Sequence, residues 1–237
     1  MNEITSRDNQ WVKMACSLKQ KKGRQAHQRV FVEGLRVIAD AAAMAIPDAI
    51  CFVSEKGRAL DGFEALYARG LELGWTFYAV TDSVYDKLKD TRTPQGLAAM
   101  LPFFAYTFDS LPAIAPEKAV LYLRSIQDPG NLGAILRTAD ALQIPAVLLD
   151  GCADPYNPKT VRASMGAVFR TQPVRMTRQQ AIAACRDAGI PLLATAMSAD
   201  AVDLRQAELH SAAVIIGSEG QGICQELFDA AQGKIII

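Results

Sequence analysis

Residues able to bind a ligand lie in the turns that follow apolar runs in the second half of the sequence. The segment SIQDPGNLGAILRTADAL comes after the run AVLYL and contains Asn131 and Arg137. The segment GSEGQGI comes after the run AAVII and contains Gly217, Gly220 and Gly222. Glycines at such a turn let a ligand approach the backbone and accept hydrogen bonds from its N–H groups. These two turns are therefore candidate parts of a binding site.

A third segment, DPYNPKTVRASMGAVF, combines a helix start with basic residues. Asn157 followed by Pro158 is typical of a cap and a first helical residue. The sequence predicts that Lys159, Arg162 and Ser164 point outward from this turn, where cationic donors suit phosphate groups. The alternative is that these side chains only cap the helix and interact with solvent.

The helix after the first turn is predicted from an apolar stripe at helical spacing, with Asn131 as its N-cap. The stripe consists of Leu132, Ile135, Leu136, Ala139 and Leu142. Arg137 lies off this stripe, one and a half turns into the expected helix. It is either an ordinary surface arginine or a residue that reaches a ligand above the strand end, and the pattern alone does not favour one over the other.

Two other chemistries are disfavoured. The glycine spacing G-x-x-G-x-G differs from the G-x-G-x-x-G of dinucleotide-binding folds, and a phosphate-binding Walker loop is absent. The five cysteines form no C-x-x-C pair, which argues against a zinc site and against a disulfide framework. Only His27 and His210 could activate a cysteine as a nucleophile. We therefore expect no metal and a reducing compartment.

Alternating strand and helix patterns must position these turns. In the second half, strands are expected at 119–123, 146–150, 168–174, 191–197, 212–219 and from 234, and helices at 132–142, 177–189 and 223–231. The strand patterns are continuously apolar, which predicts an open, mostly parallel sheet with helices on both faces. Ligands bind beyond the carboxyl ends of the strands in such sheets.

The first half predicts a smaller α/β layer. Strands are expected at 29–33, 49–55 and 75–80, with helices between them and a turn at Glu33 and Gly34. The segment 105–118 contains two prolines and no clear period, so it is the expected linker. This divides the chain into domains at 1–104 and 119–237.

Composition limits the class of protein. The chain has 237 residues, half of them apolar, and equal numbers of basic and acidic residues. No apolar run reaches the roughly 18 residues of a membrane span, so a cytoplasmic protein without a membrane segment is expected. Residues 1–30 carry seven Lys and Arg against two acidic residues. This basic head indicates a polyanionic partner or, alternatively, a solvated helix face.

Taken together, the three motifs resemble those of the SpoU-type (TrmH family) RNA ribose methyltransferases of the SPOUT class. The matching segments are DPGNLGAILRTADA, NPKTVRASMGAVF and IIGSEGQGI, and in the first half FVEGLR and TPQGLAAM resemble the substrate-binding domain of many such enzymes. The resemblance implies an N-terminal RNA-binding α/β domain followed by a knotted α/β methyltransferase domain. It also implies S-adenosyl-L-methionine as cofactor, RNA as substrate, ribosomal rather than transfer RNA, and a homodimer.

The resemblance also assigns catalytic residues. Arg137 matches the arginine that lies at the target ribose and helps to activate its 2′-hydroxyl, and Asn131 matches the asparagine that helps to shape the site. Glu219 matches the acidic residue of the second motif. Because arginine stays protonated in proteins, we expect Arg137 to clamp a phosphate and stabilise the developing alkoxide rather than to act as a base.

Three residues are expected at the cofactor. Gly217 matches the glycine whose backbone meets the cofactor, Thr195 lies in a bordering strand-end loop, and Ile237 matches the first residue of the third motif I-P-M. The rest of that motif, including S-L-N, does not follow in this sequence. The knot-closing segment is then absent, and we expect that a protein ending here binds the cofactor poorly and is inactive.

RNA contacts are expected from the basic residues of the head and of the third segment, namely Lys21, Lys22, Arg24, Lys159 and Arg162. The rival interpretation is an RNA-binding protein without catalysis, or an inactive fragment. Transfer of a labelled methyl group to RNA would distinguish these alternatives.

Overall fold

A computed structural model describes residues 1–103, 119–144, 146–171, 173–218, 220 and 222–237. The chain forms two compact units, the first made of Met1–Phe104 and Tyr156–Val161, the second of Ala105–Pro155 and Arg162–Ile237. The expected linker 105–118 lies outside the described residues, so its role stays a prediction.

The first unit is built on a mixed sheet of five strands. The strands are β1 (Asn2–Ile4), β2 (Arg29–Glu33), β3 (Ile50–Val53), β4 (Thr76–Val80) and β5 (Leu97–Pro102). They lie in the order β1-β4-β3-β5-β2, in which β1, β4 and β3 are parallel and β5 runs antiparallel to both of its neighbours. The helices are α1 (Gln10–Ser17), α2 (Lys21–His27), α3 (Leu35–Ala43), α4 (Glu55–Arg58), α5 (Phe63–Glu72) and α6 (Asp82–Leu88).

The core of this unit follows from strand alternation. Side chains such as Phe52 and Met100 point to one face, where they pack with Val12 of α1 and Leu88 of α6. α3 packs against α5, β2 and β5, so neighbouring side chains such as Cys51 meet the other helical layer. The predicted strands at 29–33, 49–55 and 75–80 and the turn at Gly34 are confirmed, with Gly34 at φ 108°.

Within its described residues, the second unit contains a parallel sheet of seven strands. The strands are β6 (Val120–Arg124), β7 (Val147–Asp150), β8 (Pro173–Met176), β9 (Leu192–Thr195), β10 (Val202–Asp203), β11 (Ala213–Ile216) and β12 (Gly233–Ile236). Their order is β10-β12-β9-β11-β6-β7-β8, and every neighbouring pair is parallel. The predicted open parallel sheet is therefore confirmed.

Four α-helices are seen in the described part of this half of the chain. They are α7 (Pro129–Ala141), α8 (Pro158–Ser164), α9 (Arg178–Asp187) and α10 (Gln225–Ala230). Ala181 and Cys185 of α9 and Leu227 of α10 pack with Tyr122 and Ile215 in one core. Burial of the apolar face of each helix on the sheet is what holds the layers together.

The chain crosses the sheet in a way that creates a binding edge. β6 is followed by β7 and β8 on one side, after which the chain returns to β9 and β11 on the other side of β6. β6 and β11 are neighbours, with Leu123 paired to Ile216. The carboxyl ends of two such strands at a switch point are the usual place for a ligand.

One strand prediction is wrong. The segment 168–174 was expected to be a strand, but Ala167–Phe169 forms a 3-10 helix and only Pro173–Met176 is extended. Val168 and Phe169 are fully buried in the core, and the Thr171 hydroxyl donates to the Ala167 carbonyl at 3.0 Å. Apolar residues in a buried helical turn have the composition of a strand, so the pattern was misleading.

The basic head folds into α1 and α2, and one of its arginines is buried. Arg24 is 2% exposed, and its Nη1 donates to the carbonyls of Leu18 at 2.9 Å and Lys19 at 3.1 Å. These carbonyls lie at the end of α1, where the helix leaves acceptors without intrahelical partners. The assignment of Arg24 as an RNA contact is therefore wrong, because its guanidinium is buried and hydrogen-bonded to the carbonyls at the end of α1. Lys21 and Lys22 are exposed.

We predict that Arg24→Ala destabilises the first unit. Loss of buried hydrogen bonds from a charged donor should lower its free energy of unfolding by about 1.5–3 kcal/mol. Both tryptophans, Trp11 and Trp75, belong to this unit, so urea denaturation followed by tryptophan fluorescence reports on it. Lys22→Ala, an exposed change, is the control and should stay within about 0.5 kcal/mol of wild type. Equal midpoints for the two variants would contradict the structural role.

Candidate active site

Two glycines of the loop after β11, Gly217 and Gly222, are in close backbone contact. A Cβ placed on Gly217 would lie 2.2 Å from the carbonyl carbon and oxygen of Gly222, closer than any side chain tolerates. The Gly222 N–H donates to the Ser218 carbonyl at 2.9 Å, and Gly222 has φ 61°. The loop is therefore a tight hairpin in which only glycine fits at 217. Glu219 lies outside the described residues, so its predicted role stays a prediction.

A cavity of about 690 Å³ opens beside this loop at the carboxyl ends of β9 and β12. Thr195 and Ile237, both predicted at the cofactor, line it. Gly217 does not line the cavity but is in close contact with the lining residue Gly222. The volume lies within the usual range for a small-molecule site of about 300–1,000 Å³. The structure thus brings two of the three predicted cofactor residues to one cavity.

Several cavity residues were not predicted from the sequence. They are Ala196, Met197, Ser198, Ile223, Gln225, Phe228, Lys234 and Ile236, whereas Gly222 belongs to the glycine turn that the sequence marked as a candidate binding segment. Residues 196–198 directly follow β9, so the rule that ligands bind after strand ends could have identified them. Gln225 and Phe228 lie on α10, and nothing in the spacing of that helix separates a cavity-lining side from a core side.

The polar groups of the cavity are held by hydrogen bonds. The Thr195 hydroxyl donates to the Ile215 carbonyl at 2.9 Å, which ties β9 to β11 at the cavity floor. Lys234 Nζ donates to Asp200 Oδ2 at 2.8 Å. This hydrogen bond holds the pKa of Asp200 below its usual value, so its carboxylate stays ionised at neutral pH. A ligand therefore meets a cavity with apolar walls and a charged pair at one side.

The helix that carries the predicted catalytic residues begins earlier than expected. Asp128, not Asn131, is the N-cap of α7, and its Oδ1 accepts a hydrogen bond from the Asn131 N–H at 2.9 Å. Pro129 takes the first helical position, where its missing N–H costs nothing. Arg137 therefore lies about 12 Å along the helix from its start. A ligand that meets Arg137 would lie beside α7 rather than above its N-terminus.

The apolar stripe of α7 is mostly confirmed. Leu132, Leu136 and Ala139 are buried, but Leu142 lies just beyond the helix and is 69% exposed. Arg137 is exposed, as expected for a residue off the stripe, and it has no hydrogen-bond or ion-pair partner within the part of the chain that the structure describes. Its guanidinium is thus available to a ligand.

The third segment, DPYNPKTVRASMGAVF, forms α8 as predicted, with one exception. The Asn157 Oδ1 accepts a hydrogen bond from the Lys159 N–H at 2.8 Å, so Asn157 caps the helix. Lys159 and Arg162 are exposed. Ser164 was expected to point outward, but it is buried and its Oγ accepts a hydrogen bond from the Val168 N–H at 3.4 Å. Ser164 therefore stabilises the 3-10 turn.

Comparison with known proteins decides the family. Residues 118–237 match the SpoU rRNA Methylase family, and residues 9–99 match the MRM3-like substrate binding domain. The chain belongs to the SpoU rRNA methylase family. The fold class predicted from the motifs, an α/β fold of the SPOUT methyltransferases with an N-terminal substrate-binding domain, is confirmed. The predicted absence of the knot-closing segment stays a prediction.

Relatives agree with this membership of the SpoU family. The 23S rRNA (guanosine(2553)-2'-O)-methyltransferase RlmP of Bacillus subtilis strain 168 is 30% identical over 232 residues, which span 97% of this chain and 87% of the relative. An AdoMet-bound rRNA methyltransferase from Sinorhizobium meliloti has a TM-score of 0.86 at 29% identity, covering 100% of this chain and 88% of that one. A TrmH-family RNA methyltransferase of Porphyromonas gingivalis has a TM-score of 0.79 at 28% identity, covering 95% and 86%.

Among the described residues, no three His, Cys, Asp or Glu side chains are grouped so that they could hold a metal ion. No helix in the described ranges is long and apolar enough to cross a bilayer.

We predict that Gly217→Ala disrupts the cavity loop. The added methyl group would force the backbones of Gly217 and Gly222 apart, and we expect loss of binding of S-adenosylmethionine measured by calorimetry. Gly220→Ala is the matched control in the same loop, because a Cβ there meets nothing within 4 Å. Wild-type affinity in Gly217→Ala, or equal loss in both variants, would contradict this account of the loop.

Proposed function

We propose that this protein transfers a methyl group from S-adenosylmethionine to a ribose 2′-hydroxyl of RNA, and that the RNA is ribosomal. The observation that carries the proposal is the pairing of β6 with β11. It brings the glycine loop and the connection to α7, which carries Asn131 and Arg137, to the same edge of the sheet. The rRNA methylase family and the rRNA-modifying relatives support the substrate class.

The cavity fits the proposed cofactor. Ile223, Phe228 and Ile236 offer apolar surface for an adenine ring, and Gly222 lets a ligand approach the backbone. Ser198 and Gln225 supply polar groups for the sugar and the amino-acid tail. The cofactor supplies an activated methyl group when it is bound. Because the transfer is a direct displacement at that methyl group, the protein's task is to position the hydroxyl and to handle its proton.

Arg137 is proposed to hold the acceptor. Its exposed guanidinium can bind a phosphate next to the target ribose through two parallel hydrogen bonds and stabilise charge that develops on the 2′-oxygen. Positioning the hydroxyl in line is worth roughly 7–11 kcal/mol in well-oriented reactions. The proton then leaves to phosphate or water, since arginine does not give up its own proton at neutral pH.

We predict that Arg137→Lys lowers kcat for methyl transfer by about 100-fold, because lysine keeps the charge but loses the two parallel hydrogen bonds. The assay measures transfer of a labelled methyl group to ribosomal RNA, with identification of the 2′-O-methylated nucleotide after digestion. Arg186→Lys, at an exposed position on α9, is the control. Wild-type turnover in Arg137→Lys would refute the clamp. RNA binding without any methyl transfer by the wild-type chain would favour the non-catalytic alternative.

The first unit is proposed to bind RNA through its basic head. Lys21 and Lys22 are exposed at the start of α2, and α2 has no acidic residue in its first turn. Lys159 and Arg162 are proposed as further contacts from α8. Cationic side chains of this kind bind phosphates and release counterions, so the affinity depends on salt.

We predict that Lys21→Gln with Lys22→Gln weakens RNA binding and reduces the slope of log affinity against log salt by about 1 to 2. The control variant carries the same kind of substitution at two other exposed basic residues, Arg186 and Arg205. Each of these arginines already pairs with an aspartate. Filter binding at several salt concentrations gives the slope, and cofactor affinity should not change. An unchanged slope would return the two lysines to the role of solvated surface residues.

The proposed assembly is a homodimer in the cytoplasm. Met197 beside the cavity is 97% exposed and Val202 is also exposed, and such apolar side chains are suited to burial in an interface. Light scattering of the purified chain measures the molar mass directly. A monomer at micromolar concentration would contradict the dimer.

A further inference from the structure

A cluster of charged side chains occupies the carboxyl ends of β6 and β7, outside the cavity. Asp150, the last residue of β7, is only 6% exposed. Its Oδ2 accepts a hydrogen bond from the Tyr122 hydroxyl at 3.2 Å, and its Oδ1 accepts one from Arg124 Nη1 at 3.2 Å. Burial is the largest cause of the raised pKa of Tyr122, and the nearby Asp150 carboxylate is the second. The Tyr122 hydroxyl therefore remains a donor.

Arg178 adds a second cation to this cluster. Its Nε lies 3.6 Å from Asp150 Oδ2 and is buried, with no hydrogen-bond partner among the residues that the structure describes. A buried carboxylate needs such neighbours, because an isolated charge in the interior is costly. Asp150 thus holds the inner side of the Arg178 guanidinium in place.

The outer side of the same guanidinium binds a second carboxylate. Arg178 Nη1 donates to Glu226 Oε2, and Gln179 Nε2 donates to Glu226 Oε1 at 3.2 Å. Both oxygens of Glu226 are therefore held by the first turn of α9. The hydrogen bond with Glu226 is the largest cause of the raised pKa of Arg178.

Glu226 lies in the first turn of α10, and that turn also forms a wall of the cavity. Gln225 precedes Glu226 directly and lines the cavity, as does Phe228 two positions later. Leu227 between them is fully buried in the core. A shift of the first turn of α10 would move Gln225 and Phe228 together, so the hold on Glu226 also sets the shape of the cavity.

The ion pair between Arg178 and Glu226 by itself contributes little to the free energy of folding. The Glu226 side chain is 44% exposed, and ion pairs at such positions contribute little to stability. The geometry restricts motion more than it adds stability, since one guanidinium bridges a strand-end carboxylate and a helix carboxylate. This distinction makes ligand affinity the informative measurement.

We propose that Arg178 is a positioning residue for the cofactor cavity, which it acts on through Glu226 and α10 without contacting the ligand. The inference rests on the proposed function of that cavity. Removal of the bridge should allow α10 to sample other positions, so that the cavity has its binding-competent shape for only part of the time. The apparent Kd for the ligand then rises as the fraction of molecules with the competent cavity falls.

The test measures the Kd of the chain for S-adenosylhomocysteine by calorimetry, with Arg178→Gln and Glu226→Gln as variants. Each should raise the Kd about tenfold, whereas RNA affinity measured without cofactor should stay within twofold of wild type. If methyl transfer is measured, KM for S-adenosylmethionine should rise and kcat at saturation should not. Arg186→Gln, an arginine at the other end of α9, is the matched control and should leave all these values unchanged.

A double-mutant cycle separates positioning from general stability. Because the two residues act through one bridge, Arg178→Gln with Glu226→Gln should cost no more affinity than either change alone. Fully additive losses, or a lower melting temperature with unchanged Kd, would overturn the proposal. Should Arg178→Gln fail to fold, Glu226→Gln decides by the same Kd criterion. Absence of binding by the wild-type chain would instead count against the proposed function itself.

Discussion

The parallel pairing of β11 with β6 is the constraint on which the site depends. Tyr122 and Ile215 are register partners although they are more than ninety positions apart in the chain. This pairing puts the exit of β11, with its glycine loop, next to the exit of β6, which leads to α7. Because parallel strands all end at the same edge, two segments that are distant in sequence share one surface.

Two polar side chains at this edge, Asp150 and Thr195, have hydrogen-bond partners from neighbouring strands. Asp150 ends β7, and its neighbours come from β6 and from the first turn of α9. Thr195 ends β9 and donates to the backbone of β11. Buried carboxylates and hydroxyls persist only when such partners are present. Hydrogen bonds therefore link the strand ends at this edge, and the cavity walls extend from it on α10 and β12.

The two units use their arginines differently. In the first unit, the Arg24 guanidinium donates hydrogen bonds to backbone carbonyls at the end of α1, although its position among lysines resembles that of a polyanion-binding residue. In the second unit, Arg178 bridges two carboxylates and Arg137 stays exposed. Arginines in basic or polar segments thus have a structural role at Arg24 and at Arg178, and a proposed role toward a ligand at Arg137. Burial and neighbouring acceptors decide between these roles.

Features that depend on residues close in the chain could be predicted from the amino-acid sequence alone. Asn157 with Pro158 specified the start of α8, Gly34 the turn into α3, and the continuously apolar runs the parallel sheet. The motifs around Arg137 and Gly217 were sufficient for the family. Caps, turns and strand patterns are readable because their physical causes lie within a few residues.

Features that depend on distant partners became visible only in the folded protein. Phe169 entered the core in a 3-10 turn instead of a strand. Phe228 was placed in the cavity wall, and Arg24 was buried against carbonyls of another helix. In each case the outcome depends on which groups the folded sheet and its helices bring alongside, and a local pattern contains no information about those groups.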